Sequence, residues 1–99
     1  MPKTHDIDPE VLEYSRNSVR AVLRWYMTVR DVSVRELTRR LNEVGVQETE
    51  KNLRNKIARG EMQASLFLLC LRVLEAHRIN LEELIFFPND ISNPRKSWL

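Results

Sequence analysis

The chain has 99 residues, 42% hydrophobic and 30% charged, with sixteen Lys+Arg against fourteen Asp+Glu for a formal net charge of +2. That length fits one domain with a modest core, and no apolar run reaches the roughly 18 residues that a membrane span needs. A single cysteine excludes an internal disulfide and suits a reducing cytosol, and two glycines with four prolines leave little for hairpins or glycine-rich loops, so an all-α cytoplasmic domain is expected.

Residues 1–6 lack the apolar stretch of a signal peptide. Asp8-Pro9-Glu10 reads as a helix start: a capping carboxylate, proline at the first helical position, then an acid at the positive end of the dipole. Leu12, Ser15, Val19, Val22, Leu23 and Tyr26 recur at helical spacing and predict a helix over about 9–29. Trp25 lies off the centre of that stripe, placed to cover a flank of the core or meet a partner. Ser33-Val34-Arg35-Glu36 is a capping box opening a short helix over about 33–42, with Val34, Leu37, Thr38 and Leu41 on its apolar face. Gly45 is the natural left-handed residue behind it. Thr49 is the next N-cap, for a helix over about 49–59 whose only strong core contacts are Leu53 and Ile57 and which Gly60 ends. Residues 65–76 are apolar almost all round, too long for a strand and nearly free of β-branched side chains, which predicts a buried helix over about 65–77. Asn80-Leu81-Glu82-Glu83 repeats the capping pattern ahead of a fifth helix over about 81–87, which Pro88 ends. The organisation expected is one domain over 1–87 and an irregular C-terminal arm over 88–99.

Little in the chain points to catalysis. His5 and His77 have no cysteine, histidine or carboxylate partner at metal-ligand spacing, and Cys70 stands among leucines as a small packed hydrophobe. No phosphate loop, dinucleotide fingerprint or nucleophile elbow is present, and the acids near helix starts are explained by the dipole. No enzyme, cofactor or metal is expected.

The third helix carries the chemistry. With Leu53 and Ile57 inward, the opposite face presents Glu48, Lys51, Asn55 and Arg59, with Asn52 at one edge and Arg54 and Lys56 on the flanks. No acid stands between Lys51 and Gly60, and twelve of the sixteen bases in the chain are arginine. Asparagine matches adenine bidentately, arginine and lysine match guanine, and flanking cations neutralise phosphates. Lys51, Asn52, Asn55 and Arg59 are therefore the candidate base contacts; Ser33, Arg35, Arg39, Arg54 and Lys56 are the candidate phosphate contacts. Two short helices joined by a turn with glycine, the second polar and basic, form a helix-turn-helix pattern.

Those residues carry a resemblance. Val34-Arg35-Glu36-Leu37-Thr38-Arg39-Arg40-Leu41 resembles the first helix of the phage Cro/CI repressor-type helix-turn-helix, Ile57-Ala58-Arg59-Gly60 is similar to the string closing its recognition helix, and Asn80-Leu81-Glu82-Glu83-Leu84 is similar to its fifth-helix start. About three more residues separate Gly45 from Arg59-Gly60 than in that pattern, and Thr38 and Ala58 stand where it has Ala and Glu. More closely, residues 45–60, with the string Asn52-Leu53-Arg54-Asn55-Lys56-Ile57, resemble a small bacterial domain family of unknown function. The resemblance implies a five-helix, Cro/CI repressor-like domain that binds double-stranded DNA as a transcriptional regulator, usually as a homodimer on half-sites about 34 Å apart. Trp25 and Trp98 are the candidate dimer contacts. The alternative is a small inhibitor or adaptor on the same fold that binds a host protein. An RNA or single-strand binder would need the exposed aromatic clusters on which bases stack.

Overall fold

In the computed structural model, described over residues 7–79, the chain forms four α-helices: α1 Pro9–Val29, α2 Val34–Glu43, α3 Glu50–Arg59 and α4 Ala64–Val73. No strand occurs among the described residues. The expected fifth helix over 81–87, the arm over 88–99 and Trp98 lie outside them. No helix among the described residues is long and apolar enough to cross a membrane.

Three of the helices begin where the sequence places a cap. Asp8 accepts from the Glu10 N–H at 2.8 Å, Ser33 from the Glu36 N–H at 3.0 Å and Thr49 from the Asn52 N–H at 3.1 Å, each satisfying a first-turn donor that has no intrahelical partner. All four helices end in one way. A left-handed residue follows the last turn, at Asp31, Gly45, Gly60 and Glu75. Its N–H and the next one then fold back onto carbonyls of the last turn: behind α2, Gly45 N–H reaches Asn42 O at 3.1 Å and Val46 N–H reaches Leu41 O at 2.9 Å.

That ending corrects the expected extent of α4. The helix stops at Val73 rather than near residue 77, because Glu75 turns left-handed (φ 60°) and Ala76 N–H closes onto Leu71 O at 2.9 Å. A non-glycine residue in that conformation costs about 1–2 kcal/mol. Arg30, just past the end of α1, offsets the strain by donating to Leu74 O at 3.2 Å and Glu75 O at 2.9 Å. The expectation that α4 is buried all round is also corrected. Leu66, Cys70 and Leu71 face the core, whereas Leu68 is 63% and Leu69 39% exposed. A helix packed on α1 and α2 from one side needs only one apolar stripe, and composition alone conceals which side that is.

The long helix α1 and the short helix α2 both pack against α3 and α4. Leu23 of α1, Leu37 and Leu41 of α2, Leu53 of α3, and Cys70 with Leu74 at α4 are the largest fully buried side chains. Burying each leucine contributes roughly 1.5–3 kcal/mol. Thr38 and Ser18 are buried as well, and their hydroxyls bond the carbonyls of Val34 at 2.7 Å and Tyr14 at 3.0 Å, so neither leaves an unmet donor in the core. Arginines then tie helix ends together. Arg20 donates to Ala58 O at 2.9 Å, Arg40 to Val73 O at 3.3 Å, and Arg16 pairs with Glu61 at 2.8 Å. The effect is to fix the last turns of α3 and α4 against their neighbours.

Candidate nucleic-acid interface

Helix α3 rests on the core through Leu53 and Ile57 and turns its remaining length outward. Its C-terminal end is held closely. Gly60 lies against α1, where a β-carbon would run into the Arg16 carbonyl group, whose carbon would be 2.8 Å away. The connection from α2 is also tied, since Asn42 accepts from the Glu48 N–H at 3.3 Å. The outward face is therefore carried on an anchored helix.

On that face Lys51, Asn52, Asn55 and Arg59 are all exposed, as is Arg54, while Lys56 is half-buried. The structure brings the four expected base-contact residues onto one side of one helix, with Asn55 opposite the midpoint of Leu53 and Ile57. Their electrostatic settings differ. Lys56 pairs at 2.8 Å with Glu48, whose side chain is only 6% exposed, and Glu48 also accepts from the Thr49 N–H at 3.2 Å. Arg54 pairs with Glu50 at 2.5 Å one turn back, and Arg59 lies 3.9 Å from Glu61, which is already bound to Arg16. Lys51, Asn52 and Asn55 have no side-chain partner among the described residues.

Helix α2 contributes a second group. Ser33 and Arg35 are exposed at its N-terminus, and the Ser33 oxygen already accepts from Glu36 N–H while its own O–H stays available. Arg39 is held by Glu36 at 2.6 Å and Glu43 at 2.8 Å. Hydrogen bonds from Arg39 and Arg40 stabilise the ionised Glu36 and lower its pKa from 4.5 to about 2, and Glu36 in turn keeps Arg39 protonated. Beside Ser33 an open groove of about 480 Å³ is lined by Arg24, Met27, Thr28, Asp31 and Val32. Arg24 is exposed and without a partner among the described residues, a cation that sequence reasoning left out because α1 is read as a packing element.

Elsewhere the chemistry is quiet. Burial raises the Cys70 thiol to about 11, helped by nearby Glu48 and opposed by Lys56, which leaves it neutral and unreactive at neutral pH. No group of three or more His, Cys, Asp or Glu that could hold a metal ion occurs among the described residues. Trp25 is 59% exposed on α1, its ring edge-on to Tyr26 at 4.9 Å between centroids.

What sequence reasoning missed on α3 are the acids that answer its cations. The Glu50–Arg54 pair follows from four-residue spacing and was open to it. The Glu48–Lys56 pair spans the Thr49 cap, and the Arg16–Glu61 pair joins residues 45 apart, so local spacing signals neither.

The profile of a family described as Domain of unknown function (DUF6471) matches residues 16–79, more than half of the chain. That span includes the whole α2–α3 pair. No curated protein and no solved structure matches the chain.

Proposed function

The chain belongs to the DUF6471 family, a domain of unknown function, and we propose from its α2–α3 pair that it binds double-stranded DNA as a Cro/CI repressor-type helix-turn-helix module and regulates transcription. One observation carries the reading. An anchored ten-residue helix with two buried side chains presents Lys51, Asn52 and Asn55 to solvent, free of intramolecular partners among the described residues. Such an arrangement adds little to the core, but it matches the edge pattern of base pairs in the major groove. Arg35 and the Ser33 hydroxyl at the start of α2 are the phosphate contacts available without rearrangement. Arg39, Arg54 and Lys56 reach phosphate only by exchanging an acid partner, which lowers their net gain. Two copies paired about a two-fold axis, with Trp25 as a candidate contact, complete the proposal.

Retention on random duplex DNA is expected to fall steeply between about 50 and 200 mM salt as counterions are released. Lys51→Ala combined with Asn55→Ala is expected to weaken binding to the preferred sequence by about 1–3 kcal/mol per residue. Arg72→Ala, on the exposed side of α4, serves as the unaffected control. Wild-type affinity in the double variant overturns the assignment to α3. Absence of duplex retention at 50 mM salt overturns DNA binding and favours a protein partner, for which the exposed Leu68 and Leu69 are the first surface to test.

A further inference from the structure

The pairing pattern on α3 narrows what it can read. Every cation of this helix except Lys51 has an acid beside it: Arg54 has Glu50, Lys56 has Glu48, and Arg59 has Glu61 at the limit of an ion pair. The Arg54 guanidinium is thus hydrogen-bonded to Glu50, and that of Arg59, which makes no hydrogen bond of its own among the described residues, stands in the field of Glu61. Both asparagines keep their full hydrogen-bonding capacity, with no acid paired to them among the described residues. A carboxamide has one acceptor and two donors, which match the N7 acceptor and N6 amino donor of adenine. Asn52 and Asn55 are three residues apart on one helix side, displaced about 4.5 Å along the axis. Successive base pairs rise about 3.4 Å, so two neighbouring pairs lie within reach of the two amides.

We propose that α3 selects adenine, reading two adjacent A·T pairs through Asn52 and Asn55, with Lys51 beside them as the lone unpaired cation. This rests on the duplex-DNA reading above. It differs from that reading in naming which bases are read.

The experiment is a selection of bound sequences from a random duplex pool by the full chain at 50 mM salt, followed by base substitution in the winning duplex. Adjacent A·T pairs are expected in the enriched sequences. Replacing their adenines with 7-deazaadenine, which lacks the N7 acceptor, is expected to weaken binding by about tenfold or more with the protein unaltered. Asn55→Arg is expected to shift the preference at one position from adenine to guanine, with its melting temperature checked against wild type. Enrichment of G·C pairs, or duplex retention without sequence preference, overturns the adenine proposal and leaves duplex binding standing. Retention of no duplex at all overturns both.

Discussion

Lys56 shows how a single residue's role depends on what folds beside it. In the sequence it belongs to an acid-free basic run and looks like a phosphate contact. In the fold it neutralises Glu48, whose carboxylate is nearly out of solvent and has Thr49 N–H as its other partner. Removing the lysine leaves a poorly hydrated charge behind, and breaking a fully buried pair in this way costs about 3–5 kcal/mol. Because Lys56 is 35% exposed, Lys56→Ala is expected to cost less, about 1–3 kcal/mol in urea unfolding. Adding Glu48→Gln should return part of that loss, giving a coupling energy of about 0.5 kcal/mol or more. Strict additivity of the two substitutions would show that the pair contributes nothing. The outward asparagines make the opposite case: their position follows from Leu53 and Ile57 alone, so their exposure was legible from spacing.

At the scale of elements, starts were easier to read than ends. Asp8, Ser33 and Thr49 cap as their side-chain chemistry dictates, since a cap is a local bond between a residue and the amides just beyond it. The helix ends just ahead of Gly45 and Gly60 were legible for the same local reason, because glycine tolerates positive φ. The end of α1 at Val29 falls where the sequence places it, although Asp31, not glycine, turns left-handed there. The turn at Glu75 was not legible, since it too lacks glycine and the tertiary bonds from Arg30 hold it. The two glycines separate strain from crowding. Gly45→Ala meets open space and costs only the positive-φ strain, about 1–2 kcal/mol. Gly60→Ala adds a collision with the Arg16 backbone and is expected to lose about 2–4 kcal/mol in all. Equal melting temperatures for the two variants would mean that α1 does not press on the end of α3. The exposed side of α4 escaped the sequence for another reason: where nearly every residue is apolar, periodicity has no contrast from which to locate the buried stripe.

Across the whole molecule, the arginine excess contains two populations that composition cannot separate. Arg16, Arg20, Arg30 and Arg40 join helices by bonding carbonyls or acids across the fold, whereas Arg24 and Arg35 stand without partners among the described residues. The Glu36–Arg39–Arg40 group belongs to the first population, because Arg40 continues from Glu36 to the Val73 carbonyl and so links α2 to the end of α4. This linkage makes stability depend on acid. The folded chain holds Glu36 at a pKa of about 2 against an ordinary 4.5, so folding favours its ionised form. The unfolded chain takes up a proton first as pH falls, and the stabilisation present above pH 4.5 is lost between 4.5 and about 2. Glu36→Gln removes that titration. The melting temperature of the wild type is therefore expected to fall more steeply than that of the variant over this interval, with the difference between them largest above pH 4.5. Added salt should shrink the difference, since these side chains are partly exposed and their attraction is screened. Parallel melting profiles for the two proteins from pH 6 to pH 2 would place the link between α2 and α4 in the apolar contacts of Leu37, Leu41 and Leu71 instead.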